Sequence, residues 1–188
     1  MMKRIPIIAV LLSGLILVGS SLASAQDCIR IDDKDRTDNE KAADANIGCW
    51  LRKAKSGAKD LSGAMLRGAD LSGTDLSEAD LSGANLMQTD LSKANLSEAD
   101  LSGANMRSAN GRAANLSGAI LQEVDLLNGD LSGADLRGAD LSRANLRYVY
   151  LNRADLSGAQ VTDAVVSRSK TKGIDFDDWQ KRGGKVDD

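Results

Sequence analysis

The chain has 188 residues, with 24 Lys or Arg against 27 Asp or Glu, a formal charge of −3 and no histidine. Without histidine it lacks the usual general base, most metal sites, and any Ser-His or Cys-His nucleophile pair. No Gly-rich phosphate loop opens a helix either. We therefore expect no enzymatic activity, no cofactor and no bound metal ion.

The segment 1–25 predicts a secretory signal peptide. Lys3 and Arg4 give a short basic start, residues 5–18 are apolar, and an A-x-A cleavage site directly precedes Gln26. An uncleaved membrane anchor is the alternative, since residues 5–22 are close to the lower length for a span. The small residues favour cleavage and an exported protein, periplasmic or secreted. A thylakoid lumen would accept the same signal.

Residues 26–56 precede the repetitive part of the chain and contain its only cysteines, Cys28 and Cys49. In an oxidising compartment such an isolated pair predicts a disulfide. Closing a loop of about 20 residues would stabilise the fold by roughly 3 kcal/mol in the chain-entropy model. Residues 38–55 are helix-compatible, with Trp50 and Leu51 as apolar anchors. We interpret this segment as a cap over the repeats that follow.

From about Leu61 to Val161 a central apolar residue, nearly always Leu, recurs every five residues. Ala usually stands two positions before it, and Asp or Asn directly before it. This period fits neither a strand nor a helix, whose faces repeat every 2 and 3.6 residues. A fixed period over about a hundred residues indicates one unit stacked on itself, turning a corner once per repeat. Gly111 is the one central position without a side chain, which predicts either a void or a gap closed by a neighbour.

These Ala-Asp/Asn-Leu-Ser-Gly repeats resemble the motif of the pentapeptide-repeat proteins over the whole segment 57–166. The resemblance implies an all-β fold, a right-handed quadrilateral β-helix in which four pentapeptides form one square coil. It also implies that the central Leu and the small residue two before it point inward. The expected organisation is a signal peptide at 1–25, a cap at 26–56, the β-helix at 57–166 and a C-terminal cap at 167–188.

Beyond Val166 the repeat gives way to a short predicted helix. Phe176 and Trp179 are three residues apart and would share one side of this helix, with Asp175 or Asp177 as its N-cap. Gly183 and Gly184 would end it. We interpret the two aromatic residues as packing on the last coil rather than as a ligand-stacking platform.

One outward column of the predicted coil differs from the others. The position after the central residue is usually Ser, but one set of exceptions recurs at every fourth repeat and carries Arg, Met or Leu. Arg, Met and Tyr are enriched at protein interfaces, and exposed Met and Leu have no packing role there. Neutral variation on a tolerant surface explains the column equally well. With its flanking residues we name it the arginine face: Arg67, Met87, Gln88, Arg107, Leu127, Arg147 and Tyr148.

Acidic residues form two further columns, expected on one face and on the next. They are Asp60, Asp80, Asp100 and Asp140, and Asp70, Asp90 and Asp130. Some pentapeptide-repeat proteins protect type II topoisomerases by resembling DNA in shape and charge, and the resemblance invites that comparison. Asp is also the motif residue at a corner, exchanging with Asn, and Arg residues interrupt the acidic surface.

We therefore expect a non-enzymatic, extracytoplasmic scaffold for protein–protein interaction, built on a rigid β-helix. Its partner would be an unidentified protein, with no nucleic acid, no membrane after signal cleavage, and a homodimer possible. The alternative is a cytosolic DNA-mimic protein that protects a type II topoisomerase.

Overall fold

The computed structural model describes residues 40–168 and 171–188, with side chains from residue 47 onward. Its helices and strands are α1 (Glu40–Lys55), β1 (Asn145–Leu146), β2 (Val165–Ser167), α2 (Phe176–Lys181) and β3 (Lys185–Asp187). The predicted signal peptide and Cys28 lie outside the described residues. The pairing of Cys28 with the half-buried Cys49 of α1 therefore stays a prediction.

Between α1 and β1 the chain turns every five residues and pairs with itself through isolated parallel bridges. Each bridge joins residues twenty apart, as between Asp60 and Asp80, and between Asp80 and Asp100. Bridging positions recur every five residues, so the bridges form four parallel columns along the stack. The coil of twenty residues predicted from the sequence is confirmed, and the fold is β-helix-like.

Backbone hydrogen bonds run along the stack from one coil to the next. The Leu61 N–H donates to the Asp80 carbonyl at 2.7 Å, and the Asp80 N–H donates to the Lys59 carbonyl at 2.7 Å. The Gly63 N–H donates to the Ser82 carbonyl at 2.8 Å. The same pattern repeats in the coils above. Parallel pairing of this kind places successive coils about 4.8 Å apart.

The inside of the stack contains the central residues and the small residues two positions before them. Every central residue from Leu61 to Leu151 is buried, and Ala fills most of the small positions. Each buried Leu contributes about 1.5–3 kcal/mol. Thr89 replaces an inward Ala, and its hydroxyl donates to the Leu66 carbonyl at 2.8 Å, so its burial leaves no polar group unpaired. The predicted inside and outside positions are confirmed.

Each corner uses a left-handed residue two positions after the central one. Glycine occupies many of these corners, but Glu78, Lys93 and Arg143 have φ of 56°, 59° and 63°. The Asp or Asn before the central residue supports the turn. For example, Asp70 Oδ1 accepts from the Ser72 N–H at 3.0 Å. Such local bonds from short polar side chains explain why Asp and Asn dominate that position.

Helices pack against the core beyond both ends of the repeats. Trp50 and Ala54 of α1 are buried in the same apolar cluster as the central leucines. In α2, Trp179 is buried, and Asp175 is the N-cap, accepting from two backbone N–H groups. Of the two N-caps that the sequence allowed, Asp175 and Asp177, the structure has Asp175. The Trp179 indole lies directly on Gly184, where a Cβ would be 2.1 Å from Nε1, so this residue must be glycine.

The segment after α2, for which the sequence predicted no further element, contains strand β3. Strand β3 pairs in parallel with β2, and β2 with β1, with Lys185 opposite Val165 and Val165 opposite Asn145. The chain therefore returns to the stack after the helix. The last coil is also out of period, because Tyr150 pairs with Lys172, which is twenty-two positions further along the chain.

We expect Gly111→Leu to raise the free energy of unfolding by about 1–3 kcal/mol, because it adds burial and removes a flexible residue. Its φ is not in the left-handed region, and besides the chain neighbours only two atoms would lie within 4 Å of a new Cβ, the Asp130 carbonyl oxygen at 3.6 Å and the Leu131 Cδ2 at 2.7 Å. That atom is the end of a flexible side chain, and Leu already occupies the coils below and above at Leu91 and Leu131. Thermal melts measure the change.

Gly129→Ala is the matched control at another buried glycine. There a Cβ would lie 3.0 Å from the Leu126 carbonyl oxygen, which is backbone and cannot withdraw. This variant should lower the melting temperature. A lowered melting temperature for Gly111→Leu as well would show that Leu131 cannot make room for the new side chain.

Candidate protein-interaction surface

The arginine face lies along one column of bridges, which runs from Met65 through Asn85 to Asn145. Each of its main side chains follows a bridging residue by two positions, so each coil contributes one. Arg67 and Arg107 are exposed. Met87, which lies between them, and Leu127, which lies one coil above Arg107, are half-buried. With coils about 4.8 Å apart, the column from Arg67 to Arg147 is roughly 19 Å long.

The two exposed arginines make only weak contacts with their own surface. Arg67 Nη2 lies 3.5 Å from Gln88 Oε1, and Arg107 Nη1 lies 3.3 Å from Asp125 Oδ2. About half of the Arg107 side chain is exposed (47%), and such exposed ion pairs contribute at most about 1 kcal/mol. Both guanidinium groups can therefore exchange these contacts for carboxylates of a partner.

Arg147 differs from the other arginines of this face. It is half-buried, and its Nε donates to Asp187 Oδ2 of β3 at 2.6 Å. Its Nη1 also lies 3.2 Å from Asn145 Oδ1. Arg147 thus ties the last strand to the stack. Sequence reasoning missed this role because it did not predict β3.

Two tyrosines extend the surface beside the upper end of the arginine face. Tyr148 is 36% exposed and sits at a corner with φ of 62°, and Tyr150 is 47% exposed on the next bridging column. Tyr150 was not singled out from the sequence. It replaces the Asp or Asn expected before a central residue, and that departure from the motif was the available signal.

The acidic columns do not adjoin each other as expected. The column of Asp60 and the column of Asp70 are separated by the column of Met65, with the column of Asp75 on the other side. An offset of two repeats corresponds to two sides of a four-column coil, so the two acidic columns lie half a turn apart. They do not form one continuous acidic surface.

Many of these carboxylates are engaged in their own turns. The Ser72 hydroxyl and N–H, which hydrogen-bond to Asp70, hold the pKa of that carboxyl below its ordinary value. The Arg137 side chain does the same for the pKa of Asp135, to which it donates at 2.7 Å. The Asp residues therefore have a structural role at the corners, as the repeat motif indicates.

Within residues 40–168 and 171–188, no group of three or more His, Cys, Asp or Glu is arranged to hold a metal ion. Neither of the helices described combines the length and apolarity that a membrane span requires.

The stacked parallel coils and inward leucines define a solenoid repeat protein. The sequence pattern of the family described as pentapeptide repeats matches residues 60–92, 89–126 and 130–170, with 8 copies. These segments cover more than half of the chain. The chain belongs to the pentapeptide-repeat family.

Solved structures similar to the chain come from several organisms. A pentapeptide repeat protein from the cyanobacterium Cyanothece 51142 is 22% identical, with 73% of this chain and 92% of that chain covered and a TM-score of 0.50. This likeness supports the β-helix-like fold alone. A pentapeptide repeat protein from the thylakoid lumen of Arabidopsis thaliana is 33% identical, covering 59% and 72%, with a TM-score of 0.23.

The full-length plasmid-mediated fluoroquinolone resistance protein QnrB1 is 19% identical, covering 69% of this chain and 84% of that chain, with a TM-score of 0.23. Among the curated proteins, none matches the chain.

We expect the stability of the fold to fall as the pH drops through about 3.8 and below. Several carboxyl groups have folded-state pKa values below 3.8, so in acid the unfolded chain binds more protons than the folded chain. Their stabilisation is present above about pH 4 and is lost as the pH falls through their folded pKa values. These groups are Asp70, Asp75, Asp135, Asp140, Asp155 and Asp163.

Denaturant melts between about pH 6 and about pH 2.5 test this pH dependence. Asp70→Asn is a suitable variant, because Asn110 already supports the same turn in that column, accepting from the Arg112 N–H at 3.3 Å. It should retain stability at neutral pH and lose less of it in acid. Unchanged midpoints for the unsubstituted chain across this range would contradict the expectation.

Proposed function

We propose that this chain is an exported, non-enzymatic scaffold that binds another protein through its arginine face. The observation that carries the proposal is the in-register strip of Arg67, Met87, Arg107 and Leu127 on one side of the stack. The strip alternates charged and apolar side chains, one per coil. The equivalent positions on the other sides are mostly Ser.

A strip of this kind suits a partner surface with carboxylates spaced to meet the arginines and apolar groups between them. Arg forms bidentate hydrogen bonds with carboxylates, and its enrichment at interfaces follows from this geometry. The backbone beneath the strip is fixed by hydrogen bonds on both sides, so binding orders little besides side chains. Pre-organisation of this kind lowers the entropic cost of association.

In this proposal the four bridge columns are the sides of the right-handed quadrilateral β-helix that the family resemblance implies. Helix α1 caps one end, and α2 with β3 caps the other. A solenoid needs such caps because its ends otherwise expose core residues and unpaired backbone groups. The burial of Trp50 and Trp179 in the common core supports this role.

Export is proposed from the sequence of the N-terminal segment 1–25, and the disulfide between Cys28 and Cys49 follows from it. An oxidising compartment would form and maintain this bond. The bond would then tie the start of the mature chain to α1. We propose a periplasmic or secreted location, and no cofactor.

The alternative of a cytosolic topoisomerase-protecting DNA mimic has less support. It requires that the N-terminal segment does not export the chain. It also requires a continuous acidic surface, whereas the columns of Asp60 and Asp70 lie half a turn apart. Arg107, Arg112 and Arg137 pair with Asp residues along the stack and reduce its negative charge further.

The mature protein should begin at Gln26 and contain no free thiol, because of the cleavage site and the oxidising compartment. Intact mass of the chain produced in a host with a secretory pathway, with and without alkylation under non-reducing conditions, measures both features. A retained leader, or two alkylated cysteines, would contradict the export proposal.

Changing Arg67 and Arg107 together to Ser should abolish partner binding without unfolding the chain, because Ser is common at this position on the other sides. Arg147 is left in place since it holds β3. The matched control changes Arg112 and Arg137 to Ser, with the same change in charge at the same position of the repeat on other columns.

Immobilised wild-type and variant proteins are compared for capture from extracytoplasmic extract, with thermal melts as a check of folding. The control should capture the partner and the Arg67/Arg107 variant should not. If all three proteins capture the same set, the arginine face is neutral variation.

A further inference from the structure

A cleft of about 330 Å³ opens at the C-terminal end of the stack, between the last coil and the segment that leads into α2. The side of the cleft that belongs to the coil is formed by residues 154–157. The opposite side is formed by residues 173–175 and by Asp178, Trp179 and Arg182 of the α2 region. This site is separate from the arginine face, which follows another bridge column.

The coil side of this cleft is an unpaired β edge. One coil below, the Leu136 and Gly138 N–H groups donate to carbonyls of the last coil at 2.8 and 3.0 Å. In the last coil the corresponding N–H groups are those of Leu156 and Gly158. The carbonyl at the same edge is that of Ala154. None of these three has a hydrogen-bond partner among the described residues. The column also ends here, since Asp155 bridges to Asp135 and to no described residue above it.

The floor of the cleft is apolar. Leu156 is only half-buried, in contrast to every central Leu between Leu61 and Leu151, and Ala154 is half-buried too. Ile174 and the buried Trp179 add apolar surface from the opposite side. An incoming side chain at the central position of the repeat would thus cover Leu156.

The rim of the cleft is negatively charged. It carries the carboxylates of Asp155, Asp175 and Asp178 against one guanidinium, that of Arg182. Arg182 is already engaged, since it pairs with Asp178 at 3.2 Å and donates to the carbonyls of two last-coil residues. From the coil below, Arg137 reaches Asp155 only at 3.9 Å. A basic side chain placed beside Asp155 would meet a net negative surface.

We propose that this cleft binds an extended segment of another polypeptide, which adds to the edge as one further parallel strand. By the register of the coils below, one residue of the segment would donate to the Ala154 carbonyl and accept from the Leu156 N–H. That residue is basic and lies beside Asp155, and the next is apolar and covers Leu156. Backbone bonds supply affinity in such strand addition, and the alternate side chains supply specificity.

The test uses a peptide that copies the chain's own repeat with Lys in place of Asp, acetyl-Gly-Ala-Lys-Leu-Ser-Gly-amide. Binding to the full mature chain is followed by the amide chemical shifts of Leu156 and Gly158. We expect saturable shifts at these two amides. The same peptide with Asp in place of Lys should bind about two- to fivefold more weakly, since an exposed ion pair contributes up to about a factor of five.

A third peptide keeps the charge but carries a methyl group on the lysine amide nitrogen, which removes the donor to the Ala154 carbonyl. Its binding should be lost, because strand addition requires that bond. Equal binding of the methylated and unmethylated peptides would overturn the proposal in favour of simple charge attraction. The absence of saturable shifts at millimolar peptide would also overturn it, as would shifts of Leu156 caused by self-association of the chain alone.

Asp155→Asn provides the variant, because Asn95 and Asn115 occupy the same column and support the same turn. It should weaken binding of the Lys peptide about two- to fivefold. Asp75→Asn, at the far end of that column, is the matched control and should leave binding unchanged. The Arg67/Arg107 variant should also bind the peptide normally, so a failure of the proposed function would not be mistaken for a failure of this site.

Discussion

Parallel backbone hydrogen bonds between residues twenty apart are the constraint on which the rest of this structure depends. The bond from the Leu61 N–H to the Asp80 carbonyl, and its equivalents in every coil, fix the spacing and register of all other groups. Once this register is set, like positions stack on like, so inward leucines form continuous columns and outward residues form strips. The arginine face and the open edge at Leu156 are both consequences of the same register, one along the stack and one at its end.

The register has a cost at the corners. Many corner residues that are not glycine adopt positive φ, among them Glu78, Lys93 and Tyr148, and the left-handed conformation costs such residues roughly 1–2 kcal/mol each. Part of this cost is offset by the turn bonds that Asp and Asn accept, as where Asp75 Oδ1 accepts from the Ser77 N–H beside the Glu78 corner. The acidic residues are therefore required first by the turns that they support. The negative charge that they give the surface has to be interpreted with this structural role in mind.

Much of the fold could be predicted from the sequence, because the five-residue period reports directly which residues are inside. The coil of twenty residues and the Asp175 cap were equally accessible, since each leaves a local pattern. Strand β3 leaves none: Lys185–Asp187 has no repeat around it and is a strand only because β2 offers an edge. For the same reason the ion pair between Arg147 and Asp187 could not be foreseen. The approach of the Leu131 Cδ2 to Gly111 depends on a rotamer, which no sequence pattern records.

Each coil stacks only on its two neighbours. This arrangement also determines how the molecule unfolds locally. In such a one-dimensional array the free energy of opening a unit depends on its distance from an end. Amide protons of the middle coils, near Leu101 and Leu121, would thus exchange with solvent only when several coils are lost together. At the C-terminal end, β3 is freed only when the Arg147–Asp187 ion pair and the pairing of β3 with β2 are broken together, and the coils below remain paired. Slow exchange at the centre and graded exchange toward the ends would make the stack resemble a zipper rather than a single cooperative globule.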